Sequence, residues 1–99
     1  MQSFSDRIYQ NLMKVSRGKV TTYKELAKSI GSEAYRAVGN ALNKNKHPKR
    51  VPCYRVINSD GRLGGYSEGL KKKVELLKRD GIKIKNEKID LKTYEYRFK

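Results

Sequence analysis

Apolar residues recur every three or four positions near the start of the chain, a spacing typical of an amphipathic helix. This first predicted helix begins at Ser3 or Ser5 and ends at Gly18. Its inward face consists of Phe4, Ile8, Leu12 and Val15, broadened by Tyr9 and Met13. The pattern therefore predicts a helical element of about four turns at the N-terminal end.

Two shorter helices are predicted next, over residues 23–30 and 33–44. The capping residues are Thr21 or Thr22 and Gly31 for the earlier helix, and Ser32 for the later one. The inward positions of the later helix are Ala34, Ala37, Val38, Ala41 and Leu42. Two short helices joined by a glycine turn are typical of a helix-turn-helix, although many three-helix bundles share the pattern.

The outer side of the third helix carries residues that are unusual for a purely structural helix. They are Arg36, Gly39, Asn40 and Asn43. A glycine inside a helix costs about 1 kcal/mol relative to alanine. Such a cost is tolerated where a phosphate or sugar edge must approach the backbone closely, which favours the DNA-binding interpretation of the motif.

The second half of the chain predicts less helix. Residues 55–57 and 62–63 are expected to form a short hairpin across the turn at residues 58–61. A final helix is predicted over residues 70–79, with Leu70, Val74 and Leu77 inward. The tail, residues 83–99, either forms an edge hairpin or trails away, and its aromatic end predicts partial packing. The fold class is therefore mainly α: a winged-helix-like three-helix DNA-binding domain with a helix-turn-helix, a short β-hairpin and a C-terminal helix.

Charge indicates the kind of partner. The chain has 99 residues, a length typical of one domain, and a formal net charge of +14. Such an imbalance destabilises a compact state by self-repulsion and favours an acidic partner, with nucleic acid ahead of a surface that is basic only for solubility. No apolar run approaches the length of a transmembrane helix, so no membrane partner is expected.

The N-terminal residues lack the charged and apolar regions of a signal peptide, so we expect a cytoplasmic protein, nucleoid-associated if the source is prokaryotic. We also expect a monomer. A single cysteine permits no intrachain disulfide and no cysteine-rich zinc site, and neither a metal nor a cofactor is expected. That cysteine, Cys53, is either a small buried hydrophobe or a nucleophile. Composition alone favours the buried hydrophobe.

The surrounding motifs reverse that preference. Residues 52–57 (Pro-Cys-Tyr-Arg-Val-Ile), with Gly61, Gly65-Tyr66-Ser67 and Gly69 after them, resemble the active-site stretch of the O6-alkylguanine-DNA alkyltransferases, which carry a Pro-Cys-His-Arg-Val motif. Residues 20–27 and 36–41 resemble the two helices of that family's helix-turn-helix. Asn45 precedes Cys53 by eight residues, as the family's active-site asparagine does. The resemblance runs in order from about residue 4 to residue 82.

The resemblance implies single-turnover repair of double-stranded DNA that contains O6-alkylguanine. The helix-turn-helix enters the minor groove, the damaged guanine is flipped into a pocket, and Cys53 takes the alkyl group irreversibly. The catalytic residues implied are Cys53, Tyr54, Asn45 and Asp80. The DNA-binding residues implied are Thr22, Tyr23, Lys24, Ala34, Arg36, Gly39, Asn40, Asn43 and Ser59. The base pocket implied consists of Tyr23, Val56, Gly65, Tyr66 and Ser67.

The resemblance also implies a specific role for several of these side chains. Arg36 fills the gap that the flipped base leaves, and Tyr23 crowds the 3′ phosphate. Tyr66 and Ser67 stabilise the departing guanine anion. Each also has an ordinary structural alternative: a surface tyrosine, a solvated arginine or loop packing, and for Asn45 a helix C-cap. Lys71, Lys72 and Lys73 read as a solvated helix face, with Lys73 the best candidate among them for a specific role.

Two positions depart from the family pattern. Tyr54 replaces the family's histidine, which accepts the thiol proton through a water, and Asp80 replaces the glutamate that orients this histidine. A neutral phenol is a poor base, with a reference pKa near 10. The longer Tyr54 and the shorter Asp80 are expected to compensate geometrically, and a helix N-terminus or Arg55 to help stabilise the thiolate. His47 lies in the basic loop at residues 44–50 and is expected to be a surface residue.

Three functions remain open at this point. The first is an active alkyltransferase. The second is an alkyltransferase-like protein that binds and flags alkylated guanine without transfer, although such relatives generally lack the cysteine. The third is a plain basic DNA-binding module. The domain prediction is an alkyltransferase DNA-binding and catalytic domain over residues 1–82, followed by a C-terminal tail over residues 83–99.

Overall fold

The chain folds into helices joined by very short strands. The computed structural model describes residues 2–47 and 50–98. The helices are α1 (Phe4–Leu12), α2 (Tyr23–Ser29), α3 (Tyr35–Asn43), α4 (Leu70–Arg79) and α5 (Leu91–Tyr94), with a 3₁₀ turn at Cys53–Arg55. The strands are β1 (Thr21–Thr22), β2 (Val56–Ile57), β3 (Ile84–Lys85) and β4 (Lys88–Ile89). The predicted mainly α architecture is confirmed.

Helix α1 begins where the sequence predicts but ends early. The Ser3 hydroxyl accepts a hydrogen bond from the Asp6 amide, and the Asp6 carboxylate accepts one from the Ser3 amide, so the two residues form a capping box. The helix ends at Leu12, not near Gly18. Val15 nevertheless lies in the core, 1% exposed, because its amide donates to the Leu12 carbonyl in a tight turn that keeps the side chain inward.

The helix-turn-helix is formed by α2 and α3, with two local corrections. Thr22 caps α2 as predicted, because its hydroxyl accepts from the Glu25 amide. Ser32, however, does not cap α3; its hydroxyl accepts from the Ala34 amide in a local turn, and the helix begins only at Tyr35. Ala34 is therefore exposed on the turn, and its predicted inward position is wrong.

The strand pairing differs from the predicted hairpin. The turn at residues 58–61 forms, since the Gly61 amide donates to the Asn58 carbonyl. Strand β2, however, pairs in parallel with β1, in the register Thr21↔Val56 and Thr22↔Ile57. Arg62 instead forms a bridge with Lys88 of the tail. Parallel pairing of distant segments leaves no local sequence signal, which is why the turn residues pointed to a hairpin.

The tail folds onto the rest of the chain. Strands β3 and β4 form an antiparallel hairpin, so the edge-hairpin alternative is the one that the structure adopts. Further along, the Val20 amide donates to the Tyr94 carbonyl at 2.8 Å, and the Tyr96 amide donates to the Val20 carbonyl at 2.7 Å. The predicted boundary between domain and tail at residue 82 stays a prediction. The last residue of the tail, Lys99, lies outside the described residues.

Two hydrophobic clusters meet at β2. The first lies between α1, α2 and α3 and includes Cys53 and Val56. The second joins β2 and α4 to the tail and includes Ile57, Leu77 and Ile89. The Tyr9 hydroxyl donates to the Ala41 carbonyl and so ties α1 to α3. The segment that carries the cysteine thus lies at the junction of the two clusters. Within residues 2–47 and 50–98, every helix is too short or too polar to cross a bilayer.

Candidate active site

Cys53 lies at the start of the 3₁₀ turn and is 6% exposed. Asn45 braces the segment that leads to it: its Nδ2 donates to the Val51 carbonyl at 3.0 Å, and its Oδ1 accepts from the His47 amide at 3.0 Å. The side chain of Asn45 therefore fixes the loop before the cysteine, and the C-cap position of α3 belongs to Lys44. His47 is exposed as predicted, whereas Pro48 and Lys49 of the basic loop lie outside the described residues.

A cavity of about 220 Å³ opens beside the cysteine. It is lined by Tyr23, Gly39, Leu42, Asn43, Cys53, Gly65, Tyr66 and Ser67. This is below the roughly 300–1,000 Å³ of pockets for drug-sized ligands and on the scale of one planar base. Four of the five predicted pocket residues line it. The fifth, Val56, is fully buried and does not line this cavity, so its role in the base pocket stays a prediction.

The second helix of the helix-turn-helix forms part of the cavity wall. Gly39 and Asn43 of α3, predicted as DNA contacts, line the cavity together with Leu42, which the sequence interpretation missed. Leu42 was assigned to the core because it continues the apolar face of α3; it does pack there, at 6% exposure, and touches the cavity with its remaining surface. The helix that would face DNA and the nucleophile thus border the same space.

The remaining predicted DNA-binding residues divide into two groups. The exposed ones are Lys24, Ala34, Arg36, Asn40 and Ser59. Thr22 is the exception: it is 2% exposed and its hydroxyl caps α2, and its DNA contact stays a prediction. A threonine just before a helix can cap the helix or contact DNA, and the sequence alone does not distinguish these two roles.

The glycine-rich loop approaches the second helix closely. Gly64 has φ +71°, and a Cβ there would lie 3.0 Å from Asn58 Oδ1 and 3.5 Å from Tyr23 Cε2. A larger residue would be strained by the positive φ and would press on the Asn58 side chain. The Tyr66 hydroxyl donates to the Glu68 carboxylate at 2.9 Å. Burial and this carboxylate raise the pKa of Tyr66, which therefore stays a neutral donor.

Tyr54 and Asp80 are in contact. The Tyr54 hydroxyl donates to Asp80 Oδ2 at 2.9 Å, and Arg55 Nε donates to the same oxygen at 2.9 Å. The Arg55 guanidinium also donates to the Val15 carbonyl at 2.9 Å. Burial, and then the Asp80 hydrogen bond, raise the pKa of Tyr54. The expected geometric compensation is therefore present, while Arg55 is engaged with Asp80 and Val15.

Lys73 lies in a position that the sequence largely concealed. It is 0% exposed, and its Nζ donates to the carbonyls of Val56 at 2.7 Å and Gly65 at 3.0 Å. Its neighbours Lys71 and Lys72 suggested a solvated face, which is wrong for Lys73. The available signal was periodicity, since Lys73 lies four residues before Leu77 on the inward face of α4.

Burial governs the acidity of the site. It raises the pKa of the Cys53 thiol, while the nearby Asn45 side-chain amide and the charge of Lys73 act in the opposite direction. Burial also raises the pKa of Tyr23 and lowers that of Lys73 to about 8. Among the described residues, no three His, Cys, Asp or Glu side chains cluster closely enough to hold a metal ion. The site is therefore a buried thiol beside a small cavity, with a buried amine behind it.

A larger groove, of about 710 Å³, lies between the turn at residues 58–64, α4 and the β3–β4 hairpin. It contains neither the cysteine nor any of the predicted catalytic residues. Cys53 and the helix-turn-helix meet at the smaller cavity. Together they define a class of protein: a helix-turn-helix domain with a free, buried cysteine beside its second helix.

Comparison with known proteins identifies the family. A family model described as the DNA-binding domain of 6-O-methylguanine DNA methyltransferase matches residues 3–82, and the chain belongs to this family. A bifunctional methyltransferase/endonuclease of Picrophilus torridus is 47% identical over 90 residues, 90% of this chain and 30% of that protein. A methylated-DNA–protein-cysteine methyltransferase of Saccharolobus solfataricus is 48% identical over 77 residues, 78% of this chain and 50% of that protein. The chain thus spans half or less of these relatives.

Solved structures agree on the fold. S. pombe Atl1 in complex with damaged DNA containing O6-carboxymethylguanine is similar with a TM-score of 0.87 and 29% identity, covering 98% of this chain and 99% of that chain. O6-methylguanine-DNA methyltransferase of Pyrococcus kodakaraensis has a TM-score of 0.75 and 42% identity, covering 83% of this chain and 48% of that chain. Mycobacterium tuberculosis OGT in complex with DNA has a TM-score of 0.77 and 35% identity, covering 82% of this chain and 50% of that chain. The predicted helix-turn-helix fold class is confirmed.

Proposed function

We propose that this chain repairs DNA by direct reversal: it binds double-stranded DNA through α2 and α3, flips O6-alkylguanine into the cavity and transfers the alkyl group to Cys53. One observation carries the proposal. The lone cysteine borders the same small cavity as Tyr23, the Gly65–Ser67 loop and the underside of α3. Nucleophile, base pocket and DNA-facing helix are thereby joined in one site.

The chemistry follows from the residue types. The thiolate sulfur forms a bond to the alkyl carbon while the bond from that carbon to O6 breaks, and the electron pair goes to O6. The departing guanine takes up a proton. Tyr23, Tyr66 and Ser67 border the space where that charge develops, and hydroxyl donors placed there stabilise it. The thioether does not hydrolyse, so each molecule acts once.

The direct test uses a duplex with a single O6-methylguanine and the intact mass of the protein. We expect a gain of one methyl group in the wild type and none in Cys53→Ala, with Ser67→Ala as a variant that retains the thiol and gains the methyl more slowly. Tight binding of the modified duplex with no change in protein mass would overturn the transfer reaction.

That outcome would instead support the second candidate, a protein that binds and flags the lesion. A specific observation favours it: the likeness to Atl1 extends over 98% of this chain, tail included, whereas the two methyltransferase structures cover 83% and 82%. Against it stands Cys53 itself, in the position where the reaction needs a nucleophile. Equal affinity for modified and unmodified duplex would contradict both candidates.

A further inference from the structure

Glu68 places a carboxylate at the edge of the cavity in a chain that is otherwise strongly basic. It follows Ser67 directly, and both Tyr66 and Ser67 line the cavity. Glu68 Oε2 accepts the Tyr66 hydroxyl at 2.9 Å, so a single hydrogen bond separates the carboxylate from a lining side chain. The residue itself is exposed. The carboxylate is therefore open to solvent and adjacent to the space beside Cys53.

The charge of Glu68 has no ion-pair partner within residues 2–47 and 50–98. The lysine and arginine ion pairs in this part of the chain involve four other acids, Glu25, Asp60, Glu75 and Asp80. Its hydrogen-bond donor, Tyr66, is a phenol whose pKa is raised by burial and then by this carboxylate. A neutral donor leaves the negative charge in place, so Glu68 remains an anion beside the cavity.

The side chains that line the cavity carry hydroxyls, an amide and a thiol, but no formal charge. Burial raises the pKa of the Cys53 thiol, and the Glu68 carboxylate acts in the same direction. The charge of Lys73 acts in the opposite direction, from a buried position where its amine donates to two backbone carbonyls. The charge of a group that enters the cavity is thus met by Glu68 at the edge and Lys73 behind the wall.

The size of the cavity determines how far the charge of Glu68 reaches. A compact space of about 220 Å³ has an edge of roughly 6 Å, the cube root of that volume. Charges near a protein surface interact within the Debye length, which is roughly 10 Å at 0.1 M salt. A charged group anywhere in the cavity therefore lies within the reach of a carboxylate at its edge.

We propose that Glu68 is a specificity-determining residue whose carboxylate disfavours anionic alkyl groups at Cys53 and leaves neutral ones unaffected. The favoured class is a neutral group, such as methyl, on O6 of guanine. The disfavoured class carries a carboxylate, as the carboxymethyl group does. The inference rests on the proposed function for its biological use. The discrimination itself is a property of the cavity and applies equally to small alkylating reagents.

The test compares two reagents that differ by one charge. Iodoacetate delivers a carboxymethyl group, and iodoacetamide delivers a neutral carbamoylmethyl group of nearly the same size. In both reactions the Cys53 thiolate forms a bond to carbon, the carbon–iodine bond breaks and iodide leaves. Intact mass at a single pH gives the two rate constants and hence the ratio of iodoacetate to iodoacetamide. We expect this ratio to be about fivefold higher in Glu68→Gln than in the wild type at low ionic strength.

The ratio isolates the charge of Glu68 from other effects. The thiolate fraction is common to both reagents, and Lys73 is present in both proteins. Glutamine keeps an oxygen that can accept the Tyr66 hydroxyl, whereas Glu68→Ala removes acceptor and charge together. A charge effect predicts the same rise in both variants. A rise in Glu68→Ala alone would show that the placement of Tyr66 matters instead, and would overturn the proposal.

The matched control is Glu75→Gln, which removes one carboxylate from the exposed side of α4 and none from the cavity. Its ratio should equal that of the wild type, and a comparable rise there would assign the effect to net charge and refute the role of Glu68. Near 1 M salt, where the Debye length is roughly 3 Å, the wild type and Glu68→Gln should converge. A difference that persists at high salt would contradict an electrostatic cause.

Binding decides the question if neither reagent reaches the thiol. Affinities are then measured for duplexes that carry O6-carboxymethylguanine or its neutral counterpart, O6-carbamoylmethylguanine. Glu68→Gln should shift the ratio of these affinities toward the carboxymethyl lesion by about fivefold, for the same electrostatic reason. An unchanged ratio would overturn the proposal.

The outcome is separable from that of the proposed function. A reagent ratio that depends on Glu68, without methyl transfer from O6-methylguanine, would support the role of Glu68 and overturn the repair reaction. Methyl transfer with a ratio that ignores Glu68 would do the reverse.

Discussion

Asp80 is the common partner of several polar side chains around the 3₁₀ turn that begins at Cys53. Its carboxylate accepts from Tyr54 and Arg55, and Arg17 approaches it at 3.7 Å from the solvent side. The aspartate and the tyrosine therefore fit each other. They hold the turn, and the Tyr54 hydroxyl is engaged with Asp80.

Tyr54→Phe tests whether the Tyr54 hydroxyl stabilises the fold or acts on the Cys53 thiol. Loss of the hydroxyl removes one hydrogen bond to a partly buried carboxylate, so we expect the free energy of unfolding in urea to fall by about 1 kcal/mol. The pH profile of Cys53 alkylation should not move, because the hydroxyl donates to Asp80. Tyr35→Phe, on the exposed surface of α3, is the control for stability. A displaced profile in Tyr54→Phe would show that the phenol acts on the thiol after all.

Local motifs allow many of the site residues to be predicted. Cys53, Tyr23, Gly65, Tyr66 and Ser67 were all expected at the cavity and all line it. Burial was harder to predict, because it depends on packing between segments that are distant in sequence. Thr22 and Val56 occur in segments that match the family, yet β1–β2 pairing buries both. Lys73 stands in a run of three lysines, where composition suggests solvent.

The helix-turn-helix is where DNA recognition would be decided. Arg36 is exposed on α3, one turn before Gly39, which borders the cavity. A long cation at this point could occupy the space that a flipped base vacates. The start of α3 was harder to predict than its existence. A serine such as Ser32 can cap a helix or form a local turn, and the sequence does not distinguish the two.

Arg36→Ala should therefore weaken repair in duplex DNA by at least tenfold, a loss typical of a residue that replaces stacking. Its reaction with the free base O6-benzylguanine should change by less than twofold, since no gap is formed there. Lys92→Ala, which removes the same charge from α5, is the matched control. Equal losses on both substrates would argue against a gap-filling arginine.

The tail contributes to the second hydrophobic cluster through Ile89, which is 3% exposed. Its backbone also reaches the turn at residues 58–61, where the Ile89 amide donates to the Gly61 carbonyl. Gly61 has φ +90°, and a Cβ there would lie 2.8 Å from the Ile89 carbonyl oxygen. The alternation of apolar and polar residues indicated the hairpin as one of two alternatives, but no local pattern indicated the segment against which it packs.

Ile89→Ala tests whether the tail and the remainder unfold together. Truncating a fully buried isoleucine costs about 3 kcal/mol, which we expect as a lower urea midpoint with a single transition. Ile84→Ala, half-buried in the same hairpin, should cost less. If the tail is a separate unit, Ile89→Ala would leave the main transition in place.

The chain as a whole is strongly cationic, with 24 Lys and Arg against 10 Asp and Glu. Composition predicted this property in full, because charge does not depend on packing. Most of these cations are exposed, and the recorded ion pairs are mainly solvent-exposed contacts worth little. The charge therefore remains available for phosphates. It would provide affinity for any duplex, while the cavity would provide the preference for the lesion.

Binding to an unmodified duplex should accordingly be steeply salt-dependent. For six or more phosphate contacts, affinity should fall by on the order of a thousandfold between about 50 and 200 mM salt. The ratio of affinities for modified and unmodified duplex should change far less, since the flipped base is neutral. Fluorescence anisotropy over a salt series measures both. A shallow slope would mean that only one or two cations reach the backbone.

The most direct measurement is peptide mapping after reaction with a duplex that carries a trideuteromethyl group on O6 of one guanine. We expect the label on the peptide that contains Cys53, with one label per molecule at completion and unmodified guanine recovered in the DNA. An unlabelled Cys53 peptide from protein that had bound the lesion to saturation would contradict the assignment of Cys53 as the alkyl acceptor.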